Sequence, residues 1–350
     1  MAPHGQGSAL APLPAQPPGT PWPTSQWPVG AIPADVVRGA LETKIEHAFG
    51  APGDLGETWA LLIVQAGRLV FERYGPGRAA EDTCRSWSMA KSITHALAGI
   101  LTLDGRLEIF APADVPEWRA SGDPRGAITL DQLLRMSSGL DFVEAYSPDA
   151  PSDVIEMLFG KGAADVAAFA AASPLVHPPG TFFSYSSGTT NIVSRCLARA
   201  ADAQGAAFEA FMRERLFAPI GMTSAAPSFD KAGTFIGSSF CFATARDFAR
   251  FGLLYLRDGL WEGARLLPAG WVDYARTPTN QQPDCVDGPY GAHWWLDLAG
   301  PGSFSANGYE GQYIVICPDR DLIIVRNGVT AEANQPLVKV WLAELAALFS

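Results

Sequence analysis

The sequence lacks the short motifs that carry several common chemistries. It contains no G-x-S-x-G nucleophile elbow, no H-E-x-x-H zinc pair, no phosphate-binding P-loop and no glycine fingerprint for a dinucleotide. These absences exclude the usual sequence signatures of lipases, zinc proteases, nucleotide hydrolases and dinucleotide-dependent enzymes. We therefore expect neither a cofactor nor a bound metal ion.

Paired cysteines and long apolar runs are also missing. The five cysteines, Cys84, Cys196, Cys241, Cys285 and Cys317, are scattered and form no C-x-x-C pair. This pattern predicts reduced, mostly buried thiols. The first residues show neither the basic nor the apolar segment of a signal peptide, and no run approaches the length of a membrane span. We therefore expect a cytoplasmic protein.

Charged residues are scarce, and most of them are acidic. They make up 17% of the 350 residues and leave a net charge of −11, whereas apolar residues make up 48%. A negatively charged surface binds poorly to nucleic-acid phosphates and to anionic membranes. We therefore expect a globular protein with a small-molecule partner, without nucleic acid or membrane as a partner. Its oligomeric state is left open.

Residues 1–33 carry repeated prolines, which favour extended backbone over regular structure. Residues 34–350 carry helical and strand patterns typical of one folded domain. The predicted strands lie near both ends of this domain, at 59–65, 69–74, 292–298, 312–317 and 322–326. The predicted helices include 35–49, 208–217 and 336–349.

This order of elements predicts an α+β fold in which an antiparallel sheet is flanked by helices. Residues 34–85 and 245–350 would form the sheet lobe, and about 86–244 an inserted, mainly helical lobe. A cleft between two such lobes is a common place for a ligand.

Ser88 and Lys91 stand three residues apart at the start of a helical pattern, so they share one face of its first turn. A helix N-terminus favours developing negative charge, and a desolvated lysine can accept the proton of a serine hydroxyl. The pair is therefore a candidate nucleophile and base. An isolated S-x-x-K more often marks a helix cap with a solvated lysine. A second match, Ser228 to Lys231, has no helical pattern after it and is predicted to be a surface loop.

A Ser-His-Asp triad is the weaker interpretation. His95 lies two turns beyond Ser88 on the predicted helix, about 10 Å along its axis, and is too far away to reach the hydroxyl. His177 and His293 remain candidate partners, although each is expected to be structural.

Three segments, taken together and in this order, resemble the serine β-lactamase and penicillin-binding-protein superfamily on the side of the class C β-lactamases. They are SMAKS at 88–92, LLRMSSGL at 133–140 and PPGTFFSYSSG at 178–188, and the likeness spans about 55–347. The resemblance implies the fold of that superfamily. It also implies that Ser88 is acylated and that Lys91 and Tyr185 share the general-base role.

Two departures from the usual motifs narrow the expected class of substrate. Ser187 stands where the superfamily usually has asparagine, and Tyr309 to Gln312 (YEGQ) replaces the usual Lys-Thr-Gly or His-x-Gly. Without a cation at position 309, a penicillin or D-alanyl carboxylate lacks its expected partner, and Glu310 would repel it. Strong β-lactamase or DD-peptidase activity is therefore not expected.

The altered motifs are similar to those of 6-aminohexanoate-dimer hydrolases, which cleave linear amides and short esters. Tyr146 matches a tyrosine that closes over the substrate in those enzymes. The expected substrate-binding residues are Tyr146, Ser187, Tyr309, Gly311 and Gln312. The oxyanion hole would consist of the backbone N–H groups of Ser88 and Gln312, since this role needs no particular side chain.

The sequence thus predicts a serine hydrolase, an amidase or esterase, with Ser88, Lys91 and Tyr185 at its catalytic centre. The first alternative is a β-lactamase or D-amino-acid peptidase with altered motifs. The second is a non-catalytic relative that uses its cleft to bind a ligand.

Overall fold

A computed structural model describes residues 10–50, 53–146, 151–279 and 288–350. The strands of this structure are β1 Glu57–Gln65, β2 Arg68–Tyr74, β3 Thr83–Arg85, β4 Ala226–Pro227, β5 Cys241–Thr244, β6 Leu260–Trp261, β7 Ala264–Arg265, β8 Trp295–Leu296, β9 Phe304–Gly308, β10 Gln312–Cys317 and β11 Leu322–Val329. The α-helices are α1 Arg38–Phe49, α2 Met89–Leu103, α3 Leu130–Leu134, α4 Asp153–Phe159, α5 Val166–Ala171, α6 Ser187–Ala200, α7 Ala206–Met212, α8 Ala245–Leu256, α9 Trp271–Arg276 and α10 Gln335–Ala346.

A six-stranded antiparallel sheet has the strand order β2-β1-β11-β10-β9-β8. The hairpin of β1 and β2 turns through Ala66 and Gly67, whose φ angles of 49° and 72° suit a two-residue hairpin turn. Strands from both ends of the chain meet in this sheet because β1 pairs with β11. The predicted α+β fold with an antiparallel sheet is confirmed.

Both faces of the sheet are covered, and alternate residues of β1 separate into two cores. Leu61 and Ile63 pack with residues of α1 and α10, whereas Leu62 and Val64 pack with residues of α2 and α8. This explains why β1 is apolar at consecutive positions and does not alternate between apolar and polar residues. The sheet therefore packs against α2 on one face and carries the turn between β9 and β10.

The chain between β3 and β5 carries the helices α2 to α7, with α6 packed against α2, α3 and α5. At the start of α3, Thr129 and Gln132 form the capping box that their spacing is typical of. The Thr129 side chain accepts from the Gln132 N–H, and the Gln132 side chain accepts from the Thr129 N–H. These reciprocal bonds fix the chain that leads into the segment 133–140.

Two predicted elements differ from the structure. The strand expected at 292–298 consists of Trp295–Leu296 only. His293 has a φ of 57°, which is incompatible with extended backbone. The segment 208–217 is expected to be one helix of a single type. In the structure α7 ends at Met212, and Arg213–Phe217 form a π-helical turn.

The described part of the proline-rich segment, residues 10–33, lies against the folded domain. Trp27 is buried, and its indole N–H donates a 3.2 Å hydrogen bond to the Arg246 carbonyl. The Arg250 guanidinium donates a 2.7 Å hydrogen bond to the Pro23 carbonyl. These contacts fasten the segment to α8.

Cys84, Cys196, Cys241 and Cys317 are buried and free, which agrees with the prediction of reduced thiols. Cys285 lies outside the described residues. No helix in the described part of the chain is long and apolar enough to cross a membrane.

Candidate active site

Ser88 lies immediately before α2, at the position of a helix cap, and lines a cavity. Its side chain makes no capping hydrogen bond to the helix backbone, so the structure does not support the simple capping role. The residue at a helix N-terminus lies in the region where the helix dipole favours negative charge. The Ser88 hydroxyl is therefore placed where an anionic intermediate would be stabilised.

Lys91 is buried, with 1% of its surface exposed, and does not extend to solvent. Its ammonium lies 3.0 Å from each of three oxygens: the Ser88 hydroxyl, the Ser187 hydroxyl and the Ser238 carbonyl. Burial lowers the pKa of Lys91 to about 8, because the charged form loses water, while the nearby Glu144 carboxylate acts in the opposite direction. A lysine in this state can act as a base near neutral pH.

Tyr185 and Ser187 lie at the start of α6, directly across from Lys91. The Lys91 Nζ is 4.8 Å from the centre of the Tyr185 ring. That ring also packs on Tyr290 and Trp295, with centroid distances of 5.8 Å and 5.3 Å. The three predicted catalytic residues, Ser88, Lys91 and Tyr185, are therefore brought together by the first turns of α2 and α6.

Glu144 is part of this cluster, although no sequence motif marks it as a site residue. Its Oε1 accepts hydrogen bonds of 2.6 Å from the Ser187 hydroxyl and 2.7 Å from the Tyr146 hydroxyl. Its Oε2 accepts a 2.7 Å bond from the Ser187 N–H, one of the unpaired donors of the first turn of α6. The helix N-terminus thus helps to hold this carboxylate beside Lys91.

Tyr146 lines the cavity as expected, and its hydroxyl is bonded to Glu144. Burial, with a contribution from Glu144, raises the pKa of Tyr146, so its phenol stays protonated and acts as a donor. Its ring stacks on that of Tyr309 with a centroid distance of 4.9 Å. The stacked pair forms one wall beside Ser88.

The residues of the β9–β10 turn that line the cavity lie earlier in the sequence than predicted. Tyr309 lines the cavity, together with Asn307 and Gly308, whereas Gly311 and Gln312 are not among its lining residues. Gln312 is buried, and its side chain accepts a hydrogen bond of 3.1 Å from the Asn327 amide. The side chain of Gln312 thus holds β11 and does not face a substrate.

Gly311 is required by close packing. Its φ is 87°, and a Cβ at this position would lie 2.2 Å from a guanidinium nitrogen of Arg326. Both the backbone angle and the contact exclude a side chain here. Gly311 therefore has a structural role in this turn, and its expected contact with substrate stays a prediction.

Two strained residues are joined beside Ser88. Trp87 and Glu310 have φ angles of 45° and 60°, a region that bulky side chains seldom adopt. The Trp87 indole N–H donates a 2.9 Å hydrogen bond to the Glu310 carboxylate. This bond connects the start of α2 to the β9–β10 turn, and it engages the carboxylate that was expected to repel an anionic substrate.

The main cavity has a volume of about 520 Å³ and carries charges of both signs. Glu144 lies near Ser88, and Glu332 and Lys339 line the cavity from the C-terminal part of the chain. The Lys339 Nζ is 5.8 Å from the centre of the Trp295 ring. This cavity thus has a lysine among its lining residues, which comes from α10 and not from position 309.

A second cavity of about 100 Å³ also reaches Ser88 and is lined mainly by apolar and aromatic side chains. Ile155, Leu158 and Phe159 of α4 line it, together with Trp87. We call this second cavity the apolar slot. Tyr146 and Tyr309 line both cavities, so Ser88 lies where the two meet.

The three candidate histidines do not form a triad with Ser88. His293 is buried, contacts the Leu134 carbonyl at 2.7 Å and Thr190 at 3.0 Å, and burial lowers its pKa to about 3. His95 contacts the Tyr255 hydroxyl at 2.7 Å. His177 stacks on Phe182. In each case the contacts indicate a structural role.

The second S-x-x-K match lies in a loop, as predicted. Residues 228–231 belong to no helix or strand, and Lys231 is exposed. The described ranges also contain no group of three or more His, Cys, Asp or Glu side chains placed to hold a metal ion.

The sequence profile of the Beta-lactamase family matches residues 45–343 of the chain. The chain belongs to this family. The 6-aminohexanoate-dimer hydrolase of Paenarthrobacter ureafaciens is 26% identical over an aligned length of 300, and the match covers 77% of this chain and 72% of that protein. The predicted superfamily resemblance is confirmed, and these similarities support a serine hydrolase of this superfamily.

Several solved structures share the fold of this chain. A Bacillus anthracis protein provisionally assigned as a 6-aminohexanoate-dimer hydrolase superposes with a TM-score of 0.71 and 21% identity, covering 91% of this chain and 87% of its own. A family VIII carboxylesterase superposes with a TM-score of 0.67 and 15% identity, covering 91% of this chain and 98% of its own. At these identities the likeness supports the fold alone.

Proposed function

We propose that this protein is a serine hydrolase that cleaves small linear amides or carboxylic esters through an acyl-enzyme on Ser88. The observation that carries the proposal is the 3.0 Å contact between the Ser88 hydroxyl and a buried lysine at the junction of two cavities. Nucleophile and base are within hydrogen-bond distance, and burial lowers the pKa of the base to about 8.

Acylation begins when the neutral Lys91 amine takes the Ser88 hydroxyl proton. The serine oxygen forms a bond to the substrate carbonyl carbon, and the carbonyl oxygen becomes an anion. The carbon–nitrogen or carbon–oxygen bond to the leaving group then breaks, and the leaving group receives the proton held by Lys91. Tyr185, with its ring 4.8 Å from Nζ, is placed to relay this proton. Water attacks the acyl-enzyme in the same way and releases the acid.

The oxyanion would be bound by backbone N–H groups. One is that of Ser88 at the start of α2, as predicted from the sequence. For the second donor we replace Gln312 with Tyr309, because Tyr309 lines the cavity next to Ser88 and Gln312 does not. Donors fixed in position before the reaction stabilise the developing charge without having to reorganise.

The charges of the main cavity favour a linear substrate with polar or ionic ends. Lys339 fits a carboxylate, and Glu332 fits an ammonium group. The relative from Paenarthrobacter ureafaciens is named for the 6-aminohexanoate dimer. We therefore propose linear amides of this class as the amide substrates.

A substrate panel tests this proposal. We expect turnover of p-nitrophenyl butyrate and of the linear 6-aminohexanoate dimer, with a higher kcat/KM than for nitrocefin or D-alanyl-D-alanine. A preference for the latter pair would support the altered β-lactamase or peptidase instead. Absence of turnover together with absence of labelling by a fluorophosphonate probe would support the non-catalytic alternative.

The size of the apolar slot predicts a limit on the length of the substrate's acyl chain. Its volume of about 100 Å³ is smaller than the roughly 150 Å³ apolar cavity that holds a benzene molecule. We expect kcat/KM for p-nitrophenyl butyrate to exceed that for the octanoate by about tenfold or more. Phe159→Ala should reduce this preference severalfold, because it opens the slot at a side chain that is 59% exposed. The measurement is the ratio of the two kcat/KM values.

Phe110→Ala is the matched control for this variant. Phe110 is 62% exposed and lines neither cavity, so its replacement should leave the butyrate-to-octanoate ratio unchanged. A wild-type profile that is flat from acetate to octanoate, or equal ratios in the two variants, would contradict binding of a chain in the apolar slot.

A further inference from the structure

None of the hydrogen bonds described above joins Glu144 directly to Ser88 or Lys91. Ser187 links Glu144 to Lys91. The network runs from the Ser88 hydroxyl to Lys91 at 3.0 Å, from Lys91 to the Ser187 hydroxyl at 3.0 Å, and from Ser187 to Glu144 at 2.6 Å. The mechanism proposed above does not use this carboxylate.

The hydrogens of this network can be assigned one by one. The Ser187 hydroxyl has a single hydrogen, and it donates this hydrogen in a hydrogen bond to the Glu144 carboxylate, which can only accept. Ser187 therefore faces Lys91 with its oxygen lone pairs. The Ser238 carbonyl, the third partner of Lys91, also has no hydrogen to give. Among these three partners of Lys91, only Ser88 can donate a proton to the neutral amine.

We infer that Glu144 is a positioning residue that keeps the Ser187 hydroxyl as an acceptor toward Lys91, so that the amine takes its proton from Ser88. This inference rests on the proposed function. Without the carboxylate, the Ser187 hydroxyl can rotate and donate its own hydrogen to the neutral Lys91. The amine lone pair would then be occupied by Ser187 in a fraction of the molecules, and Ser88 would lose its base.

The same carboxylate acts on Lys91 through its charge. The titratable groups that face Lys91 are Glu144 from the 141–146 segment, Tyr185 before α6 and His293 before β8. Burial lowers the pKa of His293 to about 3, so it is neutral at the pH of an assay. Glu144 raises the pKa of Lys91 against the effect of burial. Removal of its charge should therefore lower the pKa of Lys91 further.

Glu144→Gln separates positioning from a purely structural role. The glutamine amide can donate to the Ser187 oxygen and so release the Ser187 hydrogen toward Lys91. We expect the pH-independent kcat/KM for p-nitrophenyl butyrate to fall by at least about tenfold. Because the base is active when deprotonated, the rise of kcat/KM with pH should also move to lower pH. Loss of a merely structural contact would reduce thermal stability without moving the pH profile.

Ser187→Ala provides the second test, because it removes the hydroxyl through which Glu144 is inferred to act. In the Ser187→Ala background, Glu144→Gln should cause little further loss of rate, while the shift of the pH profile should persist since it arises from charge. Asp141→Asn is the matched control, because it removes an exposed carboxylate from the same segment. It should change neither the rate nor the profile.

Three outcomes decide the inference. The rate loss, the shift to lower pH and the non-additivity together support it. The inference would be overturned if Glu144→Gln caused equal rate losses with and without the Ser187 hydroxyl, or if the pH profile did not shift. In either case an active wild-type protein would leave the proposed function intact. A wild-type protein that hydrolyses no ester and reacts with no fluorophosphonate would overturn both.

Discussion

Ser88→Ala is expected to lower kcat/KM for p-nitrophenyl butyrate by at least about 10³-fold. The substitution removes the only atom that would bond to the substrate, the Ser88 Oγ, which lies 3.0 Å from Lys91. It leaves the fold intact, because this side chain makes no capping bond to α2. The measurement is steady-state hydrolysis by variant and wild type, with thermal melting to confirm that both are folded.

Ser228→Ala is the control that the chain itself offers. Ser228 begins the second S-x-x-K match, which lies in a loop and is followed by an exposed lysine. Its replacement should leave kcat/KM within about twofold of the wild type, as is usual for surface changes remote from a site. If Ser88→Ala retained the wild-type rate, or if Ser228→Ala lost it, the assignment of the nucleophile would be wrong.

Lys91→Met is expected to lower kcat/KM by about 10²- to 10⁴-fold, which is the usual contribution of a general base. Methionine fills a similar volume in the buried site but cannot accept a proton. For the wild type, kcat/KM should rise with pH through about 8, since burial lowers the pKa of Lys91 to that value and the deprotonated amine is the active form. The residual rate of the variant should lack this rise.

The same variant should melt no lower than the wild type. Lys91 is 1% exposed, and burial of an ammonium disfavours the folded state below its pKa. A neutral, apolar side chain removes this cost, so activity and stability should change in opposite directions. Lys231→Met, in the exposed second match, is the control and should affect neither. A Lys91→Met variant with an unchanged pH profile would show that another group is the base.

The proximity of Ser88, Lys91 and Tyr185 could be predicted from sequence because each lies in a short motif at the start of a helix. Spacing along one helix turn places Ser88 and Lys91 on the same face, and the structure has them 3.0 Å apart. The superfamily resemblance supplied Tyr185, whose ring lies against the Lys91 ammonium. Local spacing and a matched motif were sufficient for these three positions.

Glu144 and Lys339 could not be identified in this way, because tertiary structure alone brings them to the site. Glu144 meets Ser187 across 43 residues of sequence, and Lys339 reaches the cavity from the last helix. One signal was available in retrospect. Glu144 lies two residues before Tyr146, which the family resemblance singles out.

The β9–β10 turn lines the cavity with Tyr309 and not with Gly311 or Gln312, and this arrangement has a physical cause. The sequence YEGQ was aligned by its glycine, so Gly311 and Gln312 were expected at the site. The chain instead turns at Glu310, where φ is 60°, and Gln312 is paired with Gly308 inside the sheet. Sequence pattern predicts β10 itself correctly at Gln312–Cys317, but not which residue of the turn faces the cavity.

The most direct test of the account is the mass of the protein after reaction with a fluorophosphonate probe, followed by peptide mapping. We predict one adduct per chain, on Ser88, which is absent in Ser88→Ala and much slower to form in Lys91→Met. An adduct on Ser187, Ser228 or another residue, or an intact protein that gains no mass, would contradict Ser88 as the catalytic nucleophile.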